Sequence, residues 1–199
     1  KSRHLAPPMV GSLTDDNGDG IIDDLDIPDI VLISGVSANY PLAGVLRLIS
    51  GDGSVVHWSQ ANYIWNGVLY HPIQHSTPAI GDVDLDGETE IVTLLRNEDG
   101  DSCHYASIDS TGTLKTFNES DSVPCRVNSA ALSDMEGDGS IEVIFGNSIF
   151  NGEDGTLQGQ GNYGMGEGYN WNKDKALAID LDGDGTQELI TGNTIYDPL

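Results

Sequence analysis

Short apolar runs alternate with acidic, glycine-containing segments along this 199-residue chain. Runs of about four to eight Val-, Ile- and Leu-rich residues between turn-forming residues indicate β-strands. Two kinds of run recur four times: a short one with small residues and, after an acidic segment, a longer aliphatic one. The short runs are 8–11, 78–81, 131–133 and 177–179, and the long runs are 29–34, 90–95, 142–146 and 188–192.

Two further strands joined by a glycine-containing turn follow the long run in the first two copies, at 44–50 and 54–58 and at 105–109 and 113–117. Such pairs predict β-hairpins, so each copy holds four antiparallel strands. The residues that begin the long runs lie 61, 52 and 46 positions apart. A four-stranded repeat of roughly fifty residues is typical of a β-propeller blade. We therefore predict an all-β fold, a single partial β-propeller over residues 1–199, with three complete blades and part of a fourth at about 8–70, 77–122, 128–172 and 176–199.

The acidic segments place oxygen-bearing side chains at positions 1, 3, 5 and 9 around a glycine at position 6. Alternate side chains of a tight loop converge on one point, and oxygen ligands arranged in this way suit a hard cation such as Ca²⁺. An acidic turn that binds nothing is the alternative for any single copy, but four copies in register favour up to four Ca²⁺ sites. The candidate ligands in the three short loops are Asp82, Asp84, Asp86 and Glu90; Asp134, Glu136, Asp138 and Glu142; and Asp180, Asp182, Asp184 and Glu188.

The first acidic segment is longer than the others. Counted from its first aspartate, it is a complete twelve-residue loop of the EF-hand type, except that aspartate replaces glutamate at position 12. No amphipathic helices flank it, so we interpret it as the same turn enlarged by an insertion, with Asp29 in the place of Glu90. Glu136 makes the third loop the weakest of the short ones. The candidate ligands of the first loop are Asp15, Asn17, Asp19, Asp23 and Asp26.

The succession of a small-apolar strand, Asp-x-Asp-x-Asp-Gly-x-x-Glu and an aliphatic strand resembles the FG-GAP/VCBS repeat. That repeat builds the seven-bladed propeller of integrin α subunits and of many bacterial surface proteins. The resemblance covers about residues 8–199, although the Phe-Gly signature appears only at Phe145-Gly146. It implies Ca²⁺ ligation between the first and second strands of each blade.

A propeller closes on itself to remove its edge strands, and closure needs several more blades than this chain supplies. We therefore expect the chain to be a fragment of a larger propeller protein. Its expected partners are the remaining blades, from the same parent protein or from another chain.

The chain is strongly acidic, with 32 acidic residues against 8 basic ones and a formal charge of −24. The four loop regions contain 20 of those acids. This charge disfavours nucleic acid and anionic membranes as partners. No apolar run is long enough to span a bilayer, so membrane insertion is not expected. Calcium sites favour a secreted or cell-surface location.

Cys103 and Cys125 are the two cysteines of the chain. In the blade interpretation Cys103 begins a third strand and Cys125 follows the fourth. A disulfide between them is expected in an extracellular setting, with two buried thiols as the alternative.

Two aromatic stretches, 58–75 and 152–172, exceed what the repeat requires. Aromatic loops on a rigid scaffold suit sugar or peptide ligands. The alternative is that these rings, Trp58 and Trp171 above all, fill gaps between blades. The candidate ligand-binding residues are Trp65, Tyr70, Tyr163 and Tyr169.

The chain has no nucleophile elbow, phosphate loop or His-Glu-x-x-His motif, so we do not expect an enzyme. The predicted function is a calcium-binding propeller segment that mediates adhesion or recognises a protein or glycan. One alternative is a scaffold beside an enzyme or toxin module. A weaker one is a polysaccharide hydrolase or lyase whose active site assembles across blades.

Overall fold

The computed structural model describes residues 6–35, 43–97, 102–125, 129–162, 176–192 and 194–197. Regular structure in these residues is entirely β, and the strands pair antiparallel. The strands are β1 (Met9–Gly11), β2 (Asp29–Gly35), β3 (Gly44–Ser50), β4 (Val56–Gln60), β5 (Tyr63–Trp65), β6 (Val68–Pro72), β7 (Ala79–Gly81), β8 (Glu90–Asn97), β9 (Ser102–Ile108), β10 (Leu114–Phe117), β11 (Val123–Pro124), β12 (Ala130–Ser133), β13 (Glu142–Phe145), β14 (Ser148–Asn151), β15 (Leu157–Gln160), β16 (Ala176–Ile179), β17 (Glu188–Thr191) and β18 (Thr194–Tyr196).

These strands form four sheets that follow one another along the chain. The first sheet is the meander β1–β4, the third is β12–β15 and the fourth is β16–β18, while the second contains β5–β11. Every strand predicted from an apolar run is present, with ends that differ by at most three residues. The all-β prediction is therefore confirmed.

The second sheet has seven strands where the repeat predicts four. Strand β8 is long enough to take two partners on one edge, β7 near its start and β6 near its end. Strands β5 and β6 form a hairpin whose turn residues, Asn66 and Gly67, have φ angles of 49° and 81°. An Asn-Gly pair with both φ angles positive is typical of a two-residue type I′ turn. The four-strand prediction thus describes only β7–β10, and β5–β6 extends the second sheet and not the first.

Three apolar layers lie between consecutive sheets. Strand β8 contributes to two of them, because Ile91 and Leu95 pack toward the first sheet and Val92 and Leu94 toward the third. A strand covered on both faces has a continuous apolar run in place of an alternating one. The sheets are therefore stacked face to face in chain order.

The short strand that precedes each acidic loop lies beside the corresponding strand of the next sheet, since β1 approaches β7, β7 approaches β12 and β12 approaches β16. Gly81 permits one of these approaches: a Cβ atom there would lie 2.5 Å from Leu132 Cδ1. Gly11 faces Ile80 in the same way, with a Cβ-to-Cγ2 distance of 3.2 Å. Small residues in the predicted short strands thus serve sheet-to-sheet packing.

An aromatic ring of one sheet also rests on a turn of the next. Trp58 packs on Gly112 and donates a hydrogen bond of 2.8 Å from Nε1 to the Ser110 carbonyl. Tyr105 packs on Gly155, the glycine of the corresponding turn in the third sheet. Trp58 therefore fills a gap between sheets, as the alternative interpretation of its sequence context proposed.

Cys103 and Cys125 form a disulfide, with Cα atoms 5.0 Å apart. The bond joins β9 to the residue that follows β11, which pairs with the start of β9. The predicted disulfide is confirmed. In the part of the chain that the structure describes, no helix is long and apolar enough to cross a membrane.

Candidate metal centres

The four acidic loops share a backbone shape with left-handed residues at positions 4 and 6. Position 6 is glycine in every loop, with φ between 87° and 98°. Position 4 is glycine in three loops, but in the second it is Leu85, with φ of 60°. A residue with a Cβ atom pays about 1–2 kcal/mol for this conformation. The second loop is therefore strained at Leu85.

The first aspartate of each loop stabilises this shape by accepting backbone hydrogen bonds. Asp134 accepts one from the Asp138 amide and one from the Gly139 amide, each at 3.0 Å. Asp15, Asp82 and Asp180 likewise accept a hydrogen bond from the glycine amide at position 6. The loops are thus already shaped by the protein's own hydrogen bonds.

The glutamate at position 9 is buried and ties each short loop to the strand that follows it. Glu142 Oε2 accepts a hydrogen bond of 2.8 Å from the Met135 amide. Glu90 and Glu188 accept the equivalent hydrogen bond in their own loops. We call these three residues, together with Asp29, the anchor acids.

Asp29 holds the anchor position of the first sheet. It pairs with Gly11 in the β1–β2 register, as Glu90 pairs with Gly81 between β7 and β8. Its carboxylate accepts a hydrogen bond of 3.2 Å from the Leu13 amide. The first acidic loop is therefore an insertion between Leu13 and this anchor.

Within that inserted loop, Asp26 is buried and accepts hydrogen bonds from the backbone amides of Asp16, Asn17 and Asp23. The Asp23 amide is the main cause that lowers the pKa of Asp26, although burial opposes it. Asn17, Asp19 and Asp23 each cap the backbone amide two residues further on. Asp26 thus closes this loop by binding its backbone.

Two acidic triads come together within the described residues. In each triad, one carboxylate oxygen from every residue lies within 4.8 Å of the other two, so either triad could hold a metal ion. They are Asp82, Asp84 and Asp86 in the second loop, and Asp180, Asp182 and Asp184 in the fourth. The corresponding residues of the third loop, Asp134, Glu136 and Asp138, all lie in the described part of the chain but do not come this close together.

A β-bulge interrupts the last strand of the meander in each of the first three sheets. The bulge leaves one residue of that strand without a register partner: His57 in β4, Lys115 in β10 and Gln158 in β15. A bulge re-aims the side chain of the residue that it adds. We call these three residues the bulge residues.

Lys115 reaches into the second loop. Its Nζ atom lies 2.9 Å from Asp84 Oδ2, 2.6 Å from Asp86 Oδ2 and 2.9 Å from Glu90 Oε1. Burial alone would lower the pKa of the ammonium group, but the hydrogen bonds to Asp86, Asp84 and Glu90 raise it above its usual value. The hydrogen bond from Lys115 also lowers the pKa of Asp86. The loop carboxylates therefore surround a permanent positive charge.

His57 makes the corresponding contact in the first sheet, with its Nε2 atom 3.0 Å from Asp29 Oδ1. Asp29 is fully buried, so the imidazole is the group that faces its otherwise unpaired oxygen. In the first two sheets, a basic bulge residue thus contacts the anchor acid.

The third sheet lacks this contact. Its bulge residue, Gln158, is exposed, and Glu142 Oε1 is buried with no hydrogen-bond partner among the described residues. Burial raises the pKa of Glu142, the Met135 amide opposes that shift, and the charges of Glu136, Asp138 and Asp134 raise the pKa further. An unpaired buried carboxylate oxygen among other acids is a position that a cation would stabilise.

Of the four aromatic residues predicted to contact a ligand, the structure describes Tyr70 and Trp65. Tyr70 is 2% exposed and donates a hydrogen bond of 2.9 Å to Glu119 Oε1. Its burial gives it a packing role, which disagrees with its predicted contact with a ligand. Trp65 is half-buried and packs on Phe117, with ring centroids 5.6 Å apart. Tyr163 and Tyr169 lie outside the described residues.

No protein-family model and no curated protein matches the chain. A solved structure does. The chain is similar to Bap1, a biofilm matrix protein of V. cholerae. The likeness has a TM-score of 0.76 and 29% sequence identity, and it covers 97% of this chain. The matched part is 29% of the Bap1 chain, so the chain spans well under two thirds of the length of Bap1.

The sequence did not predict the contacts that Lys115 and His57 make with the acids. Each lies about 25 residues or more from the acid it contacts, in a strand whose register includes a bulge. No spacing rule connects a residue in a fourth strand with a loop before the second strand. A comparison of the repeats could have pointed to these residues, because His57, Lys115 and Gln158 occupy the same position in successive repeats.

Proposed function

We propose that this chain is a calcium-binding segment of an extracellular β-propeller that mediates adhesion within a secreted matrix. The observation that carries the proposal is the likeness of nearly the whole chain to part of Bap1, a biofilm matrix protein. The confirmed disulfide supports an extracellular location, because such bonds persist in oxidising surroundings.

The propeller interpretation is supported by how the sheets are arranged. Consecutive sheets stack face to face, and β1, β7, β12 and β16 lie side by side in that order. Apolar side chains stay exposed on the two outermost sheets, at Val10 on the first and at Leu177, Ile179 and Ile195 on the fourth. Further blades, from this protein or from another chain, are the partners we propose for those surfaces. The FG-GAP/VCBS resemblance is part of the same proposal.

Calcium is the ion we propose for the loops, since carboxylate and backbone oxygens are its preferred ligands. The residues of the third and fourth loops fit such an ion. Glu142 presents an unpaired buried oxygen to Asp134, Glu136 and Asp138, and the fourth loop gathers an acidic triad. A bound ion would neutralise these carboxylates and join each loop to its anchor acid.

Adhesion is tested with the full chain, immobilised extracellular polysaccharide from a bacterial biofilm, and a protein-coated surface, in Ca²⁺ or in EDTA. We expect binding that Ca²⁺ strengthens. If the chain binds neither surface in Ca²⁺ or in EDTA, the adhesive role is contradicted.

A glycan or protein contact at the β5–β6 hairpin is tested by Trp65→Ala. Ile64→Ala is the matched control, because Ile64 is the next residue and is 72% exposed. We expect the tryptophan change to weaken binding several-fold and the isoleucine change to leave it intact. Equal binding by both variants would move recognition away from this hairpin and favour a scaffold role. The residues that the structure describes give no observation in favour of a hydrolase or a lyase, so we propose neither.

A further inference from the structure

The second loop already contains a cation. The Lys115 ammonium lies within 3 Å of an oxygen from Asp84, Asp86 and Glu90, which are three of the four predicted metal ligands of that loop. Glu90 is fully buried, and the Lys115 side chain is only 23% exposed. The ammonium group is therefore a fixed part of the loop and not a passing surface contact.

The β-bulge explains how the lysine reaches this position. Lys115 is the extra residue between Leu114 and Thr116 in the pairing of β10 with β9. Gln158 is the extra residue at the same place in the third sheet. The two repeats thus differ in the charge of one bulge residue, while the strands around it keep the same pairing.

The anchor acids differ in step with the bulge residues. Glu90 Oε1 is paired with the lysine, whereas Glu142 Oε1 is buried without a partner in the described part of the chain. In the second repeat, Lys115 satisfies the charge of the anchor acid Glu90 from within the protein. The repeat with the neutral bulge residue has a buried negative charge still to be satisfied.

We propose that the bulge residue decides whether a loop binds a metal ion, and that Lys115 takes the place of the ion in the second repeat. The second loop then folds without metal, although its sequence is among the strongest predicted calcium loops. The chain binds fewer ions than it has acidic loops. This inference rests on the proposed binding of calcium by the third loop.

Electrostatic repulsion supports the exclusion of Ca²⁺ from the second loop. A Ca²⁺ ion bound by Asp84, Asp86 and Glu90 would lie within a few ångströms of the ammonium group, and two cations repel strongly at such a distance. Binding would therefore require Lys115 to leave its three carboxylates. That step costs the ion much of the affinity that the oxygen ligands provide.

Reciprocal substitutions test the proposal. Lys115→Gln gives the second repeat the bulge residue of the third, and Gln158→Lys does the reverse. Bound Ca²⁺ per chain is measured on the full chain by equilibrium dialysis and metal analysis, with folding checked by circular dichroism. We expect Lys115→Gln to gain one ion and Gln158→Lys to lose one. Lys115→Arg keeps the charge and should gain none.

Asp84→Asn, made in the protein that keeps Lys115, tests directly whether the second loop holds an ion. If it removes one bound ion, the second loop is loaded despite Lys115, and the proposal is overturned while calcium binding by the chain stands. An unchanged ion count in Lys115→Gln would also overturn it. If neither the unchanged protein nor any variant binds an ion, the proposed calcium function fails as well.

Melting in Ca²⁺ and in EDTA gives a second readout for variants that fold poorly without metal. The difference between the two melting temperatures should grow in Lys115→Gln and shrink in Gln158→Lys. A difference unaltered by both substitutions would count against the bulge residue as the determinant.

Discussion

The Tyr105 hydroxyl donates a hydrogen bond of 2.7 Å to the carbonyl oxygen of Gly152, and so joins the second sheet to the third. Tyr105 is fully buried, and Gly152 is packed so closely that a Cβ atom there would lie 2.6 Å from the Val83 carbonyl oxygen. The contact between these two sheets therefore depends on polar pairing as well as on apolar packing.

Tyr105→Phe should lower the free energy of unfolding by about 1–2 kcal/mol, because it leaves a buried carbonyl without its partner. Tyr63→Phe is the matched control. The Tyr63 hydroxyl is buried and has no hydrogen-bond partner among the described residues, so its removal should be neutral or stabilising. Chemical denaturation of both variants checks the pair. Equal losses would show that the hydrogen bond to Gly152 contributes nothing specific.

Gly81→Ala should destabilise the chain by about 1–3 kcal/mol, since the new methyl group would overlap Leu132 Cδ1. Leu132→Ala should recover part of that loss in the double variant, because it removes the overlapping atom. A double-mutant cycle in denaturant measures the coupling. Strictly additive losses would mean that β7 and β12 do not constrain each other at this contact.

Leu85→Gly should stabilise the second loop by about 0.5–1 kcal/mol, because glycine adopts the left-handed conformation without a Cβ clash. Leu181→Gly is the control: Leu181 is similarly exposed but is not among the positive-φ residues of the described chain. That change should destabilise by a similar amount through backbone entropy. Thermal melting of both variants measures the two effects, and a shared sign would exclude strain at Leu85.

Glu142→Gln should change stability in opposite directions with and without metal. In EDTA the variant should be more stable than the unchanged protein by about 1 kcal/mol, because an amide costs less to bury than an unpaired carboxylate. In millimolar Ca²⁺ it should be less stable, because it loses a ligand charge. Melting under both conditions measures the crossover, and a variant that is less stable in both would show that Glu142 is not waiting for a cation.

Alkaline pH should destabilise the fold from about pH 10 upward. Burial, together with the hydrogen bond to Glu119, raises the pKa of Tyr70 to about 12 from an ordinary value near 10. Between these values the unfolded chain loses the Tyr70 proton and the folded chain keeps it, so stability falls as pH rises. An ultraviolet absorbance titration followed beside circular dichroism checks this. Tyr70→Phe should remove one late-ionising tyrosine, and full ionisation before unfolding would contradict the prediction.

Local chemistry made much of the fold readable from the sequence. The spacing of Asp82, Asp84 and Asp86 around Gly87 specifies a loop through contacts within ten residues, and the structure gathers this triad. The long apolar runs of β8 and β13 predicted strands that are buried on both faces. The β5–β6 hairpin escaped, although Asn66-Gly67 is a strong turn signal.

The sequence pattern could not predict which strands pair when they are distant in the chain. Strand β6 joins the far end of β8 through a register between Tyr70 and Asn97, which no local rule specifies. Lys115 meets Glu90 only after two strands and a bulge have placed it there. The charge state of the second loop therefore depends on tertiary structure, even though its ligands are local.

The shared bulge position has a consequence for how such chains diverge. Lysine and glutamine codons differ by a single base, as do glutamine and histidine codons. Under the role proposed for the bulge residue, a point mutation there would convert a repeat between dependence on an environmental ion and self-sufficiency, while strand pairing stays intact.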